Sequence, residues 1–314
     1  MKSSDVWGIT PLNNTKLRQT LTPLLAALIW GMAFSVQSRA AAYYGAFTLN
    51  SLRYFIGALF LTLVLKLLPS LGKNDPPLPG KDEASRKKQL VLGGIVCGAA
   101  LAAASCLQQM GIRLTTAGKA SFITALYVVL VPLASLLFGK KLKAIIWIAV
   151  AVAVCGLYFI SVNEGFSVSR GDFLVLLSAF CFAAQILCID HYVGGVSAVR
   201  LSRVQFLTAG VISGVLALFT DTLTFADFKA GLLLLLYMGI MSTGVAYTLQ
   251  VVSQQGGEAP IVSILLSMES VFGALGGYLF LHESLSAREL LGCGLMFAAV
   301  LLTQLPEKKP NGSL

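Results

Sequence analysis

The sequence predicts an all-α integral membrane protein, with ten transmembrane helices arranged as two inverted five-helix repeats. Three observations predict it. Hydrophobic residues make up 56% of the 314 positions and charged residues 12%, about half the roughly 25% charge of soluble domains, and the mean hydropathy is +0.81. Ten apolar runs follow one another, most of them near the roughly 20 residues that carry a helix across about 30 Å of hydrocarbon. Five runs fall in each of two halves that resemble one another. A soluble domain of this size needs more charge to coat its surface, and a disordered chain has the opposite balance of charge and hydrophobicity.

The runs lie near 20–38, 47–68, 90–111, 119–138, 144–161, 172–190, 199–219, 230–252, 259–281 and 289–305. They are rich in Leu, Ala and Gly and do not alternate, which excludes β-barrel strands. The first follows Lys16 and Arg18 and precedes Arg39; it is long for the apolar core of a signal peptide and reads as a span. Between the second and third lies a polar loop, 69–89, with Pro69, Pro76, Pro77, Pro79 and the run Arg86-Lys87-Lys88, which reads as a solvated topological determinant that could touch anionic lipid. Pro132 inside the fourth run could kink it into a hinge. Residues 1–161 form the first repeat, 162–305 the second, inverted one, and 306–314 a disordered tail.

The net charge of +9 belongs to this topology, not to nucleic acid. With the N-terminus in the cytoplasm, sixteen Lys and Arg fall in inside segments and six in outside ones, with Arg53 inside a span. By the positive-inside rule both termini are cytoplasmic and the protein is a multi-pass protein of the inner (plasma) membrane. The six cysteines, Cys97, Cys106, Cys155, Cys181, Cys188 and Cys293, all fall in runs without metal-ligand spacing and read as small packing residues. No Walker motif, metal site or catalytic cluster is legible, so the sequence predicts no enzyme, cofactor or metal.

The halves match most clearly at Leu49-Asn50-Ser51-Leu52-Arg53-Tyr54-Phe55 and Leu201-Ser202-Arg203-Val204-Gln205-Phe206-Leu207, followed by Gly57 and Gly210, and at Gln108 and Gln250. An odd number of spans per half inverts one half relative to the other, the arrangement that builds two mirror-like states around a midplane site. Gly94-x-x-x-Gly98, Gly210-x-x-x-Gly214 and Gly273-x-x-x-Gly277 permit close helix approach.

Polar groups inside hydrocarbon are costly and mark functional sites. Glu269, at the middle of its run, suits a proton-coupling group or a receptor for a substrate amine; the alternative is a protonated Glu bonded to a neighbouring helix. Arg53 could hold a substrate carboxylate in a two-point grip, or it could snorkel or pair elsewhere. Gln108 and Gln250 could line two gates, with Gln185 a similar case, or all three could make interhelical hydrogen bonds. Trp30, Phe34, Tyr127 and Tyr247 lie well inside their runs and suit either the wall of a small-molecule cavity or ordinary packing. His191 and His282 are weak candidates for proton relay.

Several stretches together resemble the drug/metabolite transporter superfamily, in particular its ten-span EamA-type permeases. They are Trp30-Gly31-Met32-Ala33-Phe34, Leu52-Arg53-Tyr54, Thr115-Thr116-Ala117-Gly118-Lys119-Ala120-Ser121-Phe122-Ile123-Thr124 continuing to Tyr127-Val128-Val129-Leu130-Val131-Pro132, Gly171-Asp172-Phe173-Leu174, Leu266-Ser267-Met268-Glu269-Ser270-Val271-Phe272 and His282-Glu283-Ser284-Leu285. The resemblance runs from about Leu21 to Leu302. Members often carry Pro where Ser270 stands, which puts the bending of the ninth span in question, and Gly-Glu at His282-Glu283. The resemblance implies a carrier of small organic metabolites, many relatives exporting amino acids and others drugs, purines or sugar derivatives, by facilitated or gradient-driven transport. It also implies a central cavity lined by spans 1, 3, 4, 6, 8 and 9. The partners expected are therefore a small-molecule substrate, the lipid bilayer and protons, for a monomer or homodimer. The rival function is a membrane-embedded lipid-modifying enzyme, which needs an acidic or His cluster at one membrane face that the chain lacks.

Overall fold

The computed structural model describes residues 14–72, 82–161, 169–281 and 286–305, and among these the chain is helical with short connections. Eight helices are long and apolar enough to cross a membrane: Leu17–Ala40 (span 1), Ala46–Leu67 (span 2), Glu83–Ile112 (span 3), Ala117–Leu137 (span 4), Arg170–Tyr192 (span 6), Ala198–Thr220 (span 7), Phe225–Gln254 (span 8) and Ala287–Gln304 (span 10). Two shorter apolar helices, Ala144–Ile160 (span 5) and Ala259–Leu275 (span 9), complete the ten. The expected tail 306–314 and His282 lie outside the described residues.

Sequence-encoded caps start most of these helices. Asp82, Thr116, Ser169, Ser197, Thr224 and Ser286 each accept a hydrogen bond from a backbone N–H of the first turn, satisfying donors that have no partner inside the helix. Ser169 with Asp172 and Ser286 with Glu289 form reciprocal capping boxes. The Asp82 cap corrects the expected 69–89 loop, because the helix of span 3 begins at Glu83 and takes in Arg86-Lys87-Lys88. The bonds from Ser85 hold the Asp82 carboxyl below the usual carboxylate range.

Polarity runs outward to inward in the reverse of a soluble protein. Leu59, Leu63, Leu218 and Phe219 stand 50–83% exposed around the bundle, where lipid covers them, while Asn50, Arg53, Gln109, Gln185 and Gln205 are buried at 0–1%. Polar groups inside a bundle gain partners that hydrocarbon cannot give. All six cysteines are free thiols. Cys155 is exposed and so is not the packing residue the sequence suggested; Cys97 and Cys106 are buried.

Span 2 packs on span 7, span 4 on span 9 and span 5 on span 10, while span 3 packs on spans 6 and 7 and span 8 on spans 1 and 2. Close approach depends on glycine. Gly111 and Gly171 bring spans 3 and 6 so near that a Cβ on either would lie 2.7–2.8 Å from the other's carbonyl oxygen. Gly156 and Gly292 do the same for spans 5 and 10, at 2.7–2.9 Å. Gly94 and Gly98 of the third run likewise meet Val204, Gln205 and Thr208 of span 7.

Three spans are irregular at their centres. Span 4 divides into Ala117–Ala125 and Tyr127–Leu137. Leu126 N–H bonds to Ile123 O and Val129 N–H to Leu126 O, the tighter three-residue winding of a 3-10 turn. The hinge expected at Pro132 is thus displaced toward the N-terminus, to Leu126. Span 9 divides at Ser267 and Met268, between Ala259–Leu266 and Glu269–Leu281. Here no proline is needed. Ser263 and Ser267 hydroxyls donate to Pro260 O and Ile264 O, and Met268 and Ser270 N–H groups reach only three residues back, competing with the regular ladder. In span 8 the stretch Tyr237–Tyr247 is a π-helix, a wider winding that concentrates at functional sites.

Candidate functional site

The two broken spans meet at the centre of the bundle. Tyr127 opens the second segment of span 4 and Glu269 opens the second segment of span 9. Tyr127 Oη donates to Glu269 Oε1 at 3.1 Å, and between the same two spans Ser121 Oγ and Ser270 Oγ share a hydrogen bond of 3.2 Å. Glu269 is 3% exposed, so its carboxyl is held at the centre by a phenol and not by a counter-ion: the ion pairs among the described residues are Lys119–Asp172 and Lys140–Asp190.

All nine sequence candidates, Trp30, Phe34, Arg53, Gln108, Tyr127, Gln185, Tyr247, Gln250 and Glu269, line one cavity. Spans 1, 3, 4, 6, 8 and 9 contribute, as the family resemblance implied, and span 2 joins them through Arg53. The cavity volume is about 30 Å³, well below the roughly 300 Å³ at the lower end of small-molecule pockets. An organic metabolite enters only when the lining side chains move apart.

Arg53 does not snorkel. It is 1% exposed, donates to Gln37 Oε1 at 3.4 Å and to Tyr54 Oη at 2.9 Å, and stacks its guanidinium 4.8 Å from the Tyr54 ring centre. Its Nε has no partner among the described residues. A buried cation with unused donors and no carboxylate beside it is a receptor geometry for an anionic group.

Trp30 and Tyr247 meet edge to face at 4.7 Å between ring centres, and Trp30 Nε1 donates to Ser242 O of the π-helix at 3.1 Å. Gln108 Nε2 donates to Thr124 Oγ1 at 3.0 Å and Gln250 Nε2 to Gln185 Oε1 at 3.1 Å. Both amides therefore make interhelical bonds and both line the cavity. The sequence reading missed Gln37, Thr124 and Ser242, which also line it. Gln37 carried the same signal as the amides that were singled out, an amide within an apolar run; Thr124 and Ser242 carried none, because small hydroxyls are ordinary in membrane helices. Among the described residues no three His, Cys, Asp or Glu side chains cluster as metal ligands.

Comparison with known proteins places this architecture. The model of the EamA-like transporter family matches the chain twice, over residues 19–162 and 169–305. A protein of Archaeoglobus fulgidus named as an uncharacterized transporter is 32% identical over 286 residues, 90% of this chain and 84% of that one. A chloroplastic WAT1-related protein of Arabidopsis thaliana is 26% identical over 234 residues, 66% of this chain and 54% of its own length. A crystal structure at 15% identity superposes with a TM-score of 0.72 over 91% of this chain and 96% of its own, a likeness of fold alone.

Proposed function

The chain belongs to the EamA-like transporter family, is a multi-pass membrane transporter and not an enzyme, and from that premise we propose that it carries a small zwitterionic, amino-acid-like metabolite by alternating access. One observation carries the reading. Arg53 and Glu269, a cation and a carboxyl, line the same cavity without forming an ion pair with one another. A buried cation without a counter-ion is costly in a low-dielectric interior, and so is ionising a buried carboxyl; a ligand bearing a carboxylate and an ammonium meets both costs. Arg53 would receive the carboxylate and Glu269 the amine, with Trp30, Phe34 and Tyr247 as walls.

The two halves, 1–161 and 162–305, act as inverted repeats in this reading. Support comes from the packing, which keeps its pattern when five is added to each span number: spans 3 and 6 pair as spans 8 and 1 do. Tyr54 and Phe206, counterparts in the matched stretches of the two halves, stack on one another at 6.3 Å and 22°. The breaks in spans 4 and 9, also counterparts, supply the bending, and the small cavity fits a closed state between two open ones. Export across the inner membrane, with both termini in the cytoplasm, is the direction and topology adopted, and Glu269 couples transport to protons.

The test is flux in proteoliposomes of a neutral amino acid against its analogues lacking the amine or the carboxylate. The zwitterion moves and each analogue is slowed at least tenfold; Arg53→Met removes the penalty for the missing carboxylate. Equal flux of all three compounds through the unaltered protein overturns the zwitterion site.

A further inference from the structure

The polar site has a second, uncharged part. Gln250 of span 8 donates to Gln185 of span 6 at 3.1 Å, and Gln185 Nε2 donates in turn to Gln205 Oε1 of span 7 at 3.4 Å. All three side chains are buried, at 2%, 0% and 0% exposure. The chain of amides is incomplete at both ends: Gln250 Oε1 and Gln205 Nε2 have no partner among the described residues. Gln185 and Gln250 line the cavity and Gln205 stands behind them.

A buried amide acceptor without a donor keeps the full cost of its lost hydration, so a ligand that supplies one recovers it. The chain also has no fixed polarity. An amide carries two donors and two acceptor sites, and turning all three amides over preserves both hydrogen bonds while leaving Gln250, which lines the cavity, with a free donor in place of its free acceptor. The cavity edge at Gln250 thus accepts from an N–H or O–H, or donates to a carbonyl.

The matched halves explain why this part is neutral. Gln205 occupies in the second half the position that Arg53 occupies in the first, and Gln185–Gln205 repeats the Gln37–Arg53 contact at the same 3.4 Å. One half offers a cation, the other an amide. A charged group placed against Gln250 would be buried with dipoles only, and an apolar group would leave the free acceptor unpaired.

We infer that the Gln250–Gln185–Gln205 chain is a specificity subsite for a neutral hydrogen-bonding group on the transported molecule, such as a carboxamide or hydroxyl, selecting it over apolar and charged side chains. This rests on the zwitterion reading of the same cavity. The test compares glutamine, leucine, lysine and glutamate as probes in proteoliposomes. Glutamine flux exceeds that of each of the others by about tenfold, and Gln250→Met lowers the glutamine-to-leucine ratio to about one. Gln185→Met is the second variant, with the same expected loss of ratio, should the first fail to fold by size-exclusion profile. Equal glutamine and leucine flux in the unaltered protein overturns the inference while leaving the zwitterion site standing. So does an equal loss on both probes in the variants, as a merely structural role would give. If no probe moves at all, both readings fall.

Discussion

Tyr127 donates its phenolic hydrogen bond to Glu269 across 142 residues of sequence, and each is the first residue after the break in its own span. The pair therefore sits where the two bending points touch, so a change in the state of the carboxyl acts on both. Glu269→Gln keeps an acceptor for Tyr127 but cannot take up or release a proton. We expect the variant to carry substrate more slowly, because it lacks the charge that receives the amine, and the flux that remains no longer changes between mildly acidic and mildly alkaline buffer, measured in proteoliposomes. A variant with unaltered pH dependence removes Glu269 from coupling. Tyr127→Phe leaves the carboxyl without its phenol and weakens apparent substrate affinity by about fivefold, the equivalent of about 1 kcal/mol for one hydrogen bond.

The crossing of spans 5 and 10 predicts opposite outcomes for two glycines only two residues apart. A Cβ on Gly292 would lie 2.7 Å from Gly156 O and from Ile160 Cγ1, whereas nothing stands within 4 Å of one on Gly294. Gly292→Ala forces the helices apart and costs about 1–3 kcal/mol. Gly294→Ala meets no neighbour and gains up to about 1 kcal/mol of helix propensity. Thermal unfolding of the purified variants in detergent separates them: a lowered midpoint for the first and an equal or raised one for the second. Matching midpoints would show that the crossing relaxes freely.

Much of this was legible before the structure, and the reasons differ by feature. The ten helices follow from run length, because hydrocarbon thickness sets a minimum that few other folds need. Glu269, Arg53 and the three amides stand out because each is expensive in lipid and must face inward. The break at Leu126 did not stand out. Pro132 is the visible helix-breaker, but the tight turn opens six to nine residues earlier, where only Ile, Thr, Ala and Leu are found. The break in span 9 is built from Ser263 and Ser267, residues whose back-bonding depends on rotamer and not on identity. The π-helix at Tyr237–Tyr247 left no mark either, since its apolar composition matches that of an α-helix.

Asp221, at the end of span 7, caps the start of span 2 in the other half: its Oδ2 accepts from Phe47 N at 3.0 Å and Thr48 N at 2.8 Å. A carboxylate there also meets the positive end of the helix dipole. Gly45 is required beside it, because a Cβ at that position would fall 2.1 Å from the Asp221 carboxyl carbon. Asp221→Ala is expected to cost about 0.5–2 kcal/mol. Lys140→Ala, which breaks the more exposed ion pair with Asp190, is expected to cost less than about 1 kcal/mol. The thermal midpoints of the two variants give the order, and a larger drop for Lys140→Ala contradicts it.

Spans 1 and 8 are stitched by two reciprocal bonds, one inside the cavity and one outside it. Trp30 Nε1 donates to Ser242 O at 3.1 Å, and Tyr237 Oη donates to Ile29 O at 2.9 Å. Both acceptors or donors on span 8 belong to the π-helix. Removing either bond costs about 0.5–1.5 kcal/mol, so Trp30→Phe and Tyr237→Phe lower the thermal midpoint by similar amounts. Their transport phenotypes differ. Trp30 lines the cavity and Tyr237 does not, so Trp30→Phe also removes wall area and shifts preference toward bulkier substrates. Competition by a series of zwitterions of increasing side-chain size reads this directly. A size profile altered equally by both variants would mean that the stitching of the π-helix, and not the indole wall, sets the cavity's limits.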